Sequence, residues 1–176
     1  AASVHHPNIV DVYDAGEHDG ELYLVMRYVD GTDLRTVLRG GTALDPARAV
    51  SIASQVGEAL DAAHAAGMIH RDVTPSNVLL DTEGHVKLAD FGIARMSGDA
   101  NEYKTEDMTV KGKLPYLAPE LFQACPPSVR TDVYSCGVVL HELLGGENEF
   151  RGKDMADTVN RVLSHRATPS DRLRDD

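Results

Sequence analysis

The chain has 176 residues, 42% hydrophobic and 26% charged, a mix that supports one folded domain with a sizeable core and excludes wholesale disorder. With 17 basic against 28 acidic residues the formal net charge is -11, which disfavours a nucleic-acid or anionic-membrane surface. Cys125 and Cys136 have neither a CxxC nor a metal-ligand spacing, and neither a long apolar run nor a basic-then-apolar leader occurs, so a soluble, cytoplasmic segment is expected.

In chain order, Ile9–Gly16 alternates apolar and polar residues and Glu21–Val29 is a second strand-like run, with "EHDG" between them suited to a hairpin turn. "DGTDLRTVLRGG" predicts a short helix capped by Thr32 or Asp33 and stopped by Gly40-Gly41. The clearest helix runs from Asp45-Pro46 to Ala66: Ile52, Val56, Ala59, Leu60 and Ala63 form a stripe of helical period, and Gly67 closes it. Two short apolar runs, Asn77–Leu80 and His85–Asp90, joined by "DTEG", predict a second hairpin. The polar stretch from Ser97 to Gly112 has no period and reads as a loop. Thr131–Leu144 is apolar nearly all round, the pattern of a buried helix, and Lys153–Leu163 is amphipathic. No internal repeat is present.

The chemistry concentrates around "HRDVTPSNVLL", residues 70–80. Asp72 can accept a proton, and the side-chain oxygen of Asn77 can ligate a hard cation. Asn77 precedes the first strand of the second predicted hairpin and Asp90 follows its second, so the fold-back brings them close together. An amide oxygen and a carboxylate suit Mg²⁺, which takes its remaining ligands from water and phosphate. Taken singly, each residue has a plainer reading: Asp90-Phe91-Gly92 as a turn, His70 as a packing residue.

Together and in this order, "HRDVTPSNVLL", "KLADFGIAR", "GKLPYLAPE" and "TDVYSCGVVLHELL" resemble the C-terminal lobe of the eukaryotic-type protein kinases, in particular their bacterial serine/threonine branch. "HPNIV" and "LYLVMRYVDG" resemble the strand after that family's regulatory helix and the strand leading into its hinge. The resemblance implies a protein-kinase-like α+β fold, with residues 1–29 as the last strands of an N-terminal lobe and 30–176 as a C-terminal lobe that stops before its last helices. It implies transfer of the ATP γ-phosphoryl group to protein serine and threonine hydroxyls, with Asp72 as base and Mg²⁺ on Asn77 and Asp90. Met26 would be the gatekeeper, Tyr28 and Val29 would bond the adenine through the hinge backbone, and Leu79 would pack beneath the base. His70 and Phe91, with Val12 above them, would belong to an apolar spine joining the lobes. Asp132 would anchor the backbone of the catalytic loop, and Glu120 would pair with an arginine further on. Arg71 beside Asp72 implies control by loop phosphorylation, with Thr105 and Thr109 as candidate sites and Ser97 behind them.

The pattern also breaks. No Gly-x-Gly-x-x-Gly motif occurs, and no lysine precedes Lys87, so the family's phosphate-covering loop and Lys–Glu pair are not within these residues. The stretch is therefore expected to be part of a kinase domain, inactive in isolation. Thr74 stands where the family carries a lysine, and Lys113 where it carries a threonine. Two readings of Lys113 stay open: it replaces the missing charge beside Asp72, or it is a surface residue of its loop. A second functional class also stays open, a pseudokinase-like scaffold that binds partners without transferring phosphate. Expected partners are ATP and protein substrates, with no nucleic acid and no membrane contact by this segment. A homodimer of the parent, and its anchoring to a membrane outside this segment, are left open.

Overall fold

The computed structural model describes residues 4–91 and 112–164. Strands β1 (Val12–His18) and β2 (Glu21–Met26) form an antiparallel ribbon, in register from Asp14 opposite Val25 to His18 opposite Glu21, with a register shift between Asp14 and the Val12–Met26 pair. Asp19 and Gly20 make its turn with φ of 52° and 82°, the two positive values that a tight Asp-Gly hairpin needs. β1 begins three residues later than expected and runs two further, through Glu17 and His18 of the expected turn, while β2 ends three residues short, so that Tyr28 and Val29 lie beyond it in an irregular segment.

A second, three-stranded antiparallel sheet has the order β3–β4–β5: β3 is Gly31–Asp33, β4 is Val78–Asp81 and β5 is Val86–Leu88. The predicted hairpin is β4–β5, with Val78 opposite Leu88. β3 falls inside the stretch predicted as helix. At its start, a Cβ on Gly31 would lie 1.9 Å from the Leu80 carbonyl oxygen, so the close approach of β3 to β4 requires glycine there. The predicted helix survives as one turn, α1 (Leu34–Val37), capped by Asp33, whose Oδ1 accepts the Thr36 N–H at 2.9 Å.

Helix α2 (Pro46–Ala65) follows the prediction closely: Asp45 caps it, Pro46 opens it, and Gly67 with φ 76° lies just past its end. Its stripe of Ala49, Ile52, Val56, Ala59, Leu60 and Ala63 is buried and packs on α4 (Val129–Gly145), the small alanines allowing close approach. α3 (Pro119–Phe122) precedes α4, and α5 (Met155–Ser164) is the amphipathic helix, burying Thr158 and Val162. α4 starts in a Ser128–Thr131 capping box and ends at Gly146, φ 82°. It is less enclosed than predicted. Its buried face carries Asp132, Ser135, Val138, Val139 and Leu143, while Val133 lies off that face and is 64% exposed.

One core joins these elements: Ile52 and Val56 of α2, Val78 of β4, Leu88 of β5 and Leu143 of α4 belong to it. The architecture is mixed α/β, with strands towards the N-terminus and a helical remainder. Among the described residues no helix is long and apolar enough to cross a membrane.

Candidate active site

The segment from His70 to Asn77 enters from α2 and leaves into β4, and it is held by buried partners on three sides. Asp132, fully buried on α4, accepts the backbone N–H of His70 on Oδ2 at 2.8 Å and that of Arg71 on Oδ1 at 2.7 Å. His64, at the end of α2, meets Asp132 Oδ2 through Nε2 at 2.7 Å. These contacts hold Arg71 at φ 69°, a left-handed conformation that a non-glycine residue keeps only when its surroundings impose it.

His70 is itself buried. Its Nε2–H donates to the Ala89 carbonyl at 2.9 Å, and its Nδ1 accepts the Asp72 N–H at 3.3 Å, an arrangement that uses the neutral ring. Burial pushes the imidazole below its ordinary value, against the opposing pull of Asp132 and the Ala89 carbonyl. Phe91 packs against it at a tilt of 45°, with ring centroids 4.4 Å apart. The loop carrying Asp72 is thereby joined to the end of β5.

Asp72 and Asn77 meet directly. The Asn77 Nδ2 amide donates to the Asp72 carbonyl at 2.8 Å and to Asp72 Oδ2 at 2.9 Å. Both amide hydrogens are thus used inward, and Oδ1 of Asn77 has no partner among the described residues. The Asn77 carbonyl accepts the Ala89 N–H at 2.9 Å, which places Asp90 one residue from that contact. Asp90 is exposed at φ 58°, and its carboxylate is without a hydrogen bond or ion pair among the described residues. An amide oxygen and a carboxylate, both available, fit Mg²⁺ provided phosphate and water supply the other ligands. Among the described residues no three His, Cys, Asp or Glu side chains converge to hold a metal without such help.

Lys113 reaches this cluster from far along the chain: its Nζ lies 2.5 Å from Asp72 Oδ2. It immediately precedes a 3₁₀ turn, Leu114–Tyr116, clamped to α4. Ser135 Oγ donates to the Tyr116 carbonyl at 2.7 Å, and the Tyr116 hydroxyl donates to Glu142 Oε2 at 2.5 Å. Burial and the Glu142 carboxylate push the Tyr116 phenol well above its ordinary range. Glu120 Oε1 accepts the Thr131 hydroxyl at 2.8 Å.

The remaining predicted residues lie at the periphery or outside the description. Met26 is half-exposed at the end of β2, Tyr28 is exposed, Val29 is half-buried, and Leu79 lies on β4 opposite Asp33. Val12 is half-exposed opposite Met26. Gly92, Ser97, Thr105 and Thr109 lie outside the described residues. Sequence reasoning missed His64, Tyr116 and Glu142. For Glu142 there was a usable signal, since a carboxylate inside the apolar run "VVLHELL" needs a buried partner.

A family model described as the protein kinase domain matches residues 1–173. The serine/threonine-protein kinase PknH of Mycobacterium bovis is 43% identical over 169 residues, 96% of this chain and 28% of that protein. PknH of Mycobacterium tuberculosis is also 43% identical, over 96% of this chain and 26% of that protein. The serine/threonine-protein kinase PknE of the same organism is 42% identical over 156 residues, 89% of this chain and 27% of that protein. The chain thus spans about a quarter of the length of the curated relatives it matches. A match along nearly the whole chain, together with the loop, hairpin and platform motifs in their order, means that this chain belongs to the protein kinase domain family, close to bacterial serine/threonine kinases.

Proposed function

We propose two roles that depend on how much of the domain is present. The 176 residues as they stand act as a pseudokinase-like, partner-binding unit without phosphotransfer. The observation favouring this reading is that among the described residues no Gly-rich loop is present and no three His, Cys, Asp or Glu side chains converge to hold the metal of a nucleotide. Residues 1–29 are then the end of a smaller lobe, and 30–176 belong to the larger one.

Joined to a Gly-rich loop and its lysine, the same residues are the catalytic half of a protein serine/threonine kinase. The observation that carries this reading is the Asp72–Asn77 contact beside Asp90, which leaves an oxygen of each of the latter two available. Asn77 and Asp90 would hold Mg²⁺, and a bound metal there would neutralise phosphate charge. Asp72 takes the proton of the serine or threonine hydroxyl as its oxygen bonds to the γ-phosphorus and the bond to the β-phosphate oxygen breaks. Met26, Tyr28, Val29 and Leu79 would surround the adenine. His70, Arg71, Phe91, Glu120 and Asp132 would support the loop and the platform, Gly92 would follow Phe91 in a structural or regulatory role, and Thr105 or Thr109 would carry a regulatory phosphate. Protein substrates and ATP are the partners in this reading.

The test is ATP-dependent phosphorylation of a generic basic protein by the isolated chain, and by a version extended upstream through a Gly-rich loop and lysine. The expected result is transfer by the extended form only, abolished by Asp72→Asn. Robust Asp72-dependent transfer by the isolated chain overturns the first role. An extended form with no transfer overturns the second.

A further inference from the structure

The cation beside Asp72 does not come from the loop that carries Asp72. Arg71 is the one cationic side chain at positions 70–77, and it forms no ion pair with Asp72; its buried Nε has no partner among the described residues. Thr74, two positions after Asp72, is 4% exposed, and its hydroxyl has no hydrogen-bond partner among the described residues, so it offers the carboxylate nothing. The contact is made from 41 residues downstream, by Lys113.

We propose that Lys113 is a positioning residue for the Asp72 carboxylate, supplied by the platform segment in place of a cation in the loop, so that the base is set only while that segment is docked. This inference rests on the phosphotransfer reading of the complete domain.

Two donors, Lys113 Nζ at 2.5 Å and Asn77 Nδ2 at 2.9 Å, converge on the same oxygen, Asp72 Oδ2. Together they fix the rotation of the carboxylate and leave Oδ1 without a partner among the described residues, free to receive a hydroxyl proton. An amide alone would hold that orientation less well, because a single donor on Oδ2 lets the carboxylate pivot about one contact, whereas the Lys113 bond, with both partners charged, adds a second and stronger one. The side chains are 43% and 21% exposed, so the pair adds little to stability; what it supplies is orientation and local field. The backbone of Lys113 cannot drift freely, because the turn that follows it is held by Ser135 and Glu142 on α4. The same arrangement makes the charge conditional: a cation in the loop would stay with Asp72, whereas this one leaves if residues 113–116 undock.

The experiment uses the full-length protein that carries this sequence. Zero-length carbodiimide coupling of the resting protein is expected to join the peptides containing Asp72 and Lys113, and to fail in Lys113→Met. Steady-state kinetics of Lys113→Met are expected to show kcat lower by about 10- to 100-fold with KM for ATP nearly unchanged, the pattern of a misplaced base. Lys113→Arg should recover most of the loss. Absence of the cross-link, or an unchanged kcat in Lys113→Met, overturns the role of Lys113 while Asp72-dependent transfer persists. A protein that forms the cross-link but shows no Asp72-dependent transfer keeps the contact and overturns the phosphotransfer reading instead.

Discussion

Asp132 and Arg71 are 61 positions apart, yet the buried carboxylate accepts the Arg71 backbone N–H at 2.7 Å. One side chain of α4 thereby determines the conformation of the loop that presents Asp72, and this relationship can be broken cleanly. Asp132→Ala would orphan the His70 and Arg71 amides and the His64 ring nitrogen together. We expect a loss of about 3–5 kcal/mol in urea unfolding, the usual cost of removing one partner from a buried charged network. Asp132→Asn keeps one carbonyl acceptor and should cost clearly less. Equal, negligible losses in both variants would show that the loop holds its shape without this anchor.

His70 makes stability depend on pH in a defined direction. Its folded-state value is pushed below the ordinary 6.5, chiefly by burial, so the unfolded chain takes up a proton first as pH falls. Its contribution is therefore fully present above 6.5 and declines as pH drops below that value. His70→Phe removes the titrating group, keeps a ring against Phe91, and leaves the Ala89 carbonyl without its donor. It should lower stability at neutral pH by about 1–3 kcal/mol and flatten the decline between pH ~6.5 and pH ~5. Thermal melts across that range read both effects, and an unchanged slope would remove His70 from the account.

The platform depends on a buried hydroxyl–carboxylate bond. Tyr116→Phe deletes the donor to Glu142 Oε2 and leaves Asn148 Nδ2, at 3.2 Å, as that oxygen's remaining described partner. The expected loss is about 1–3 kcal/mol by denaturant titration. Glu142→Gln should be milder, since its amide oxygen can still accept from Tyr116. A larger loss in Glu142→Gln than in Tyr116→Phe would reverse that ordering.

The two cysteines should differ sharply in reactivity. Cys125 is exposed, whereas burial, and after it the nearby Asp132, push the Cys136 thiol up to about 11. Alkylation needs the thiolate, so at pH 8 iodoacetamide should label Cys125 much faster than Cys136 in the folded protein, and both alike in urea. Peptide mass spectrometry over time reads the two rates. Comparable rates in the native state would mean that α4 opens readily at this point.

How much of this was legible in the sequence depends on how local the governing interaction is. α2 announced itself because its cap, its first-turn proline, its apolar stripe and its closing glycine all lie within one segment. The β4–β5 hairpin was readable for the same reason, and it carried Asn77 and Asp90 to one end. β3 was not readable: three residues, "GTD", become a strand only because β4 lies beside them, and nothing in their own pattern alternates. His64 was missed because it is one of several polar residues along an amphipathic helix, and its partner Asp132 is 68 positions away. Lys113 fell between the two cases. Its substitution pattern raised the question of a charge beside Asp72, but only the folded chain supplies the distance.

The segment before β1 has a consequence for self-association. Leu88 donates its N–H to the Asn8 carbonyl at 2.7 Å and accepts the Val10 N–H at 2.9 Å, while the Asn8 side-chain amide donates to the Val86 carbonyl and to Gln55 Oε1. β5 therefore has neighbours on both flanks, and the sheet that presents Asn77 and Asp90 offers no open edge on that side. The β1–β2 ribbon has no further strand beside it among the described residues, and it exposes Tyr13 and Tyr23. Of the edges described, β3 is only three residues long, so the longer open edges available for strand-to-strand association are those of the ribbon. Protecting the ribbon, by charged substitutions on its outer face, is the direct way to keep the chain monomeric without touching the residues around Asp72.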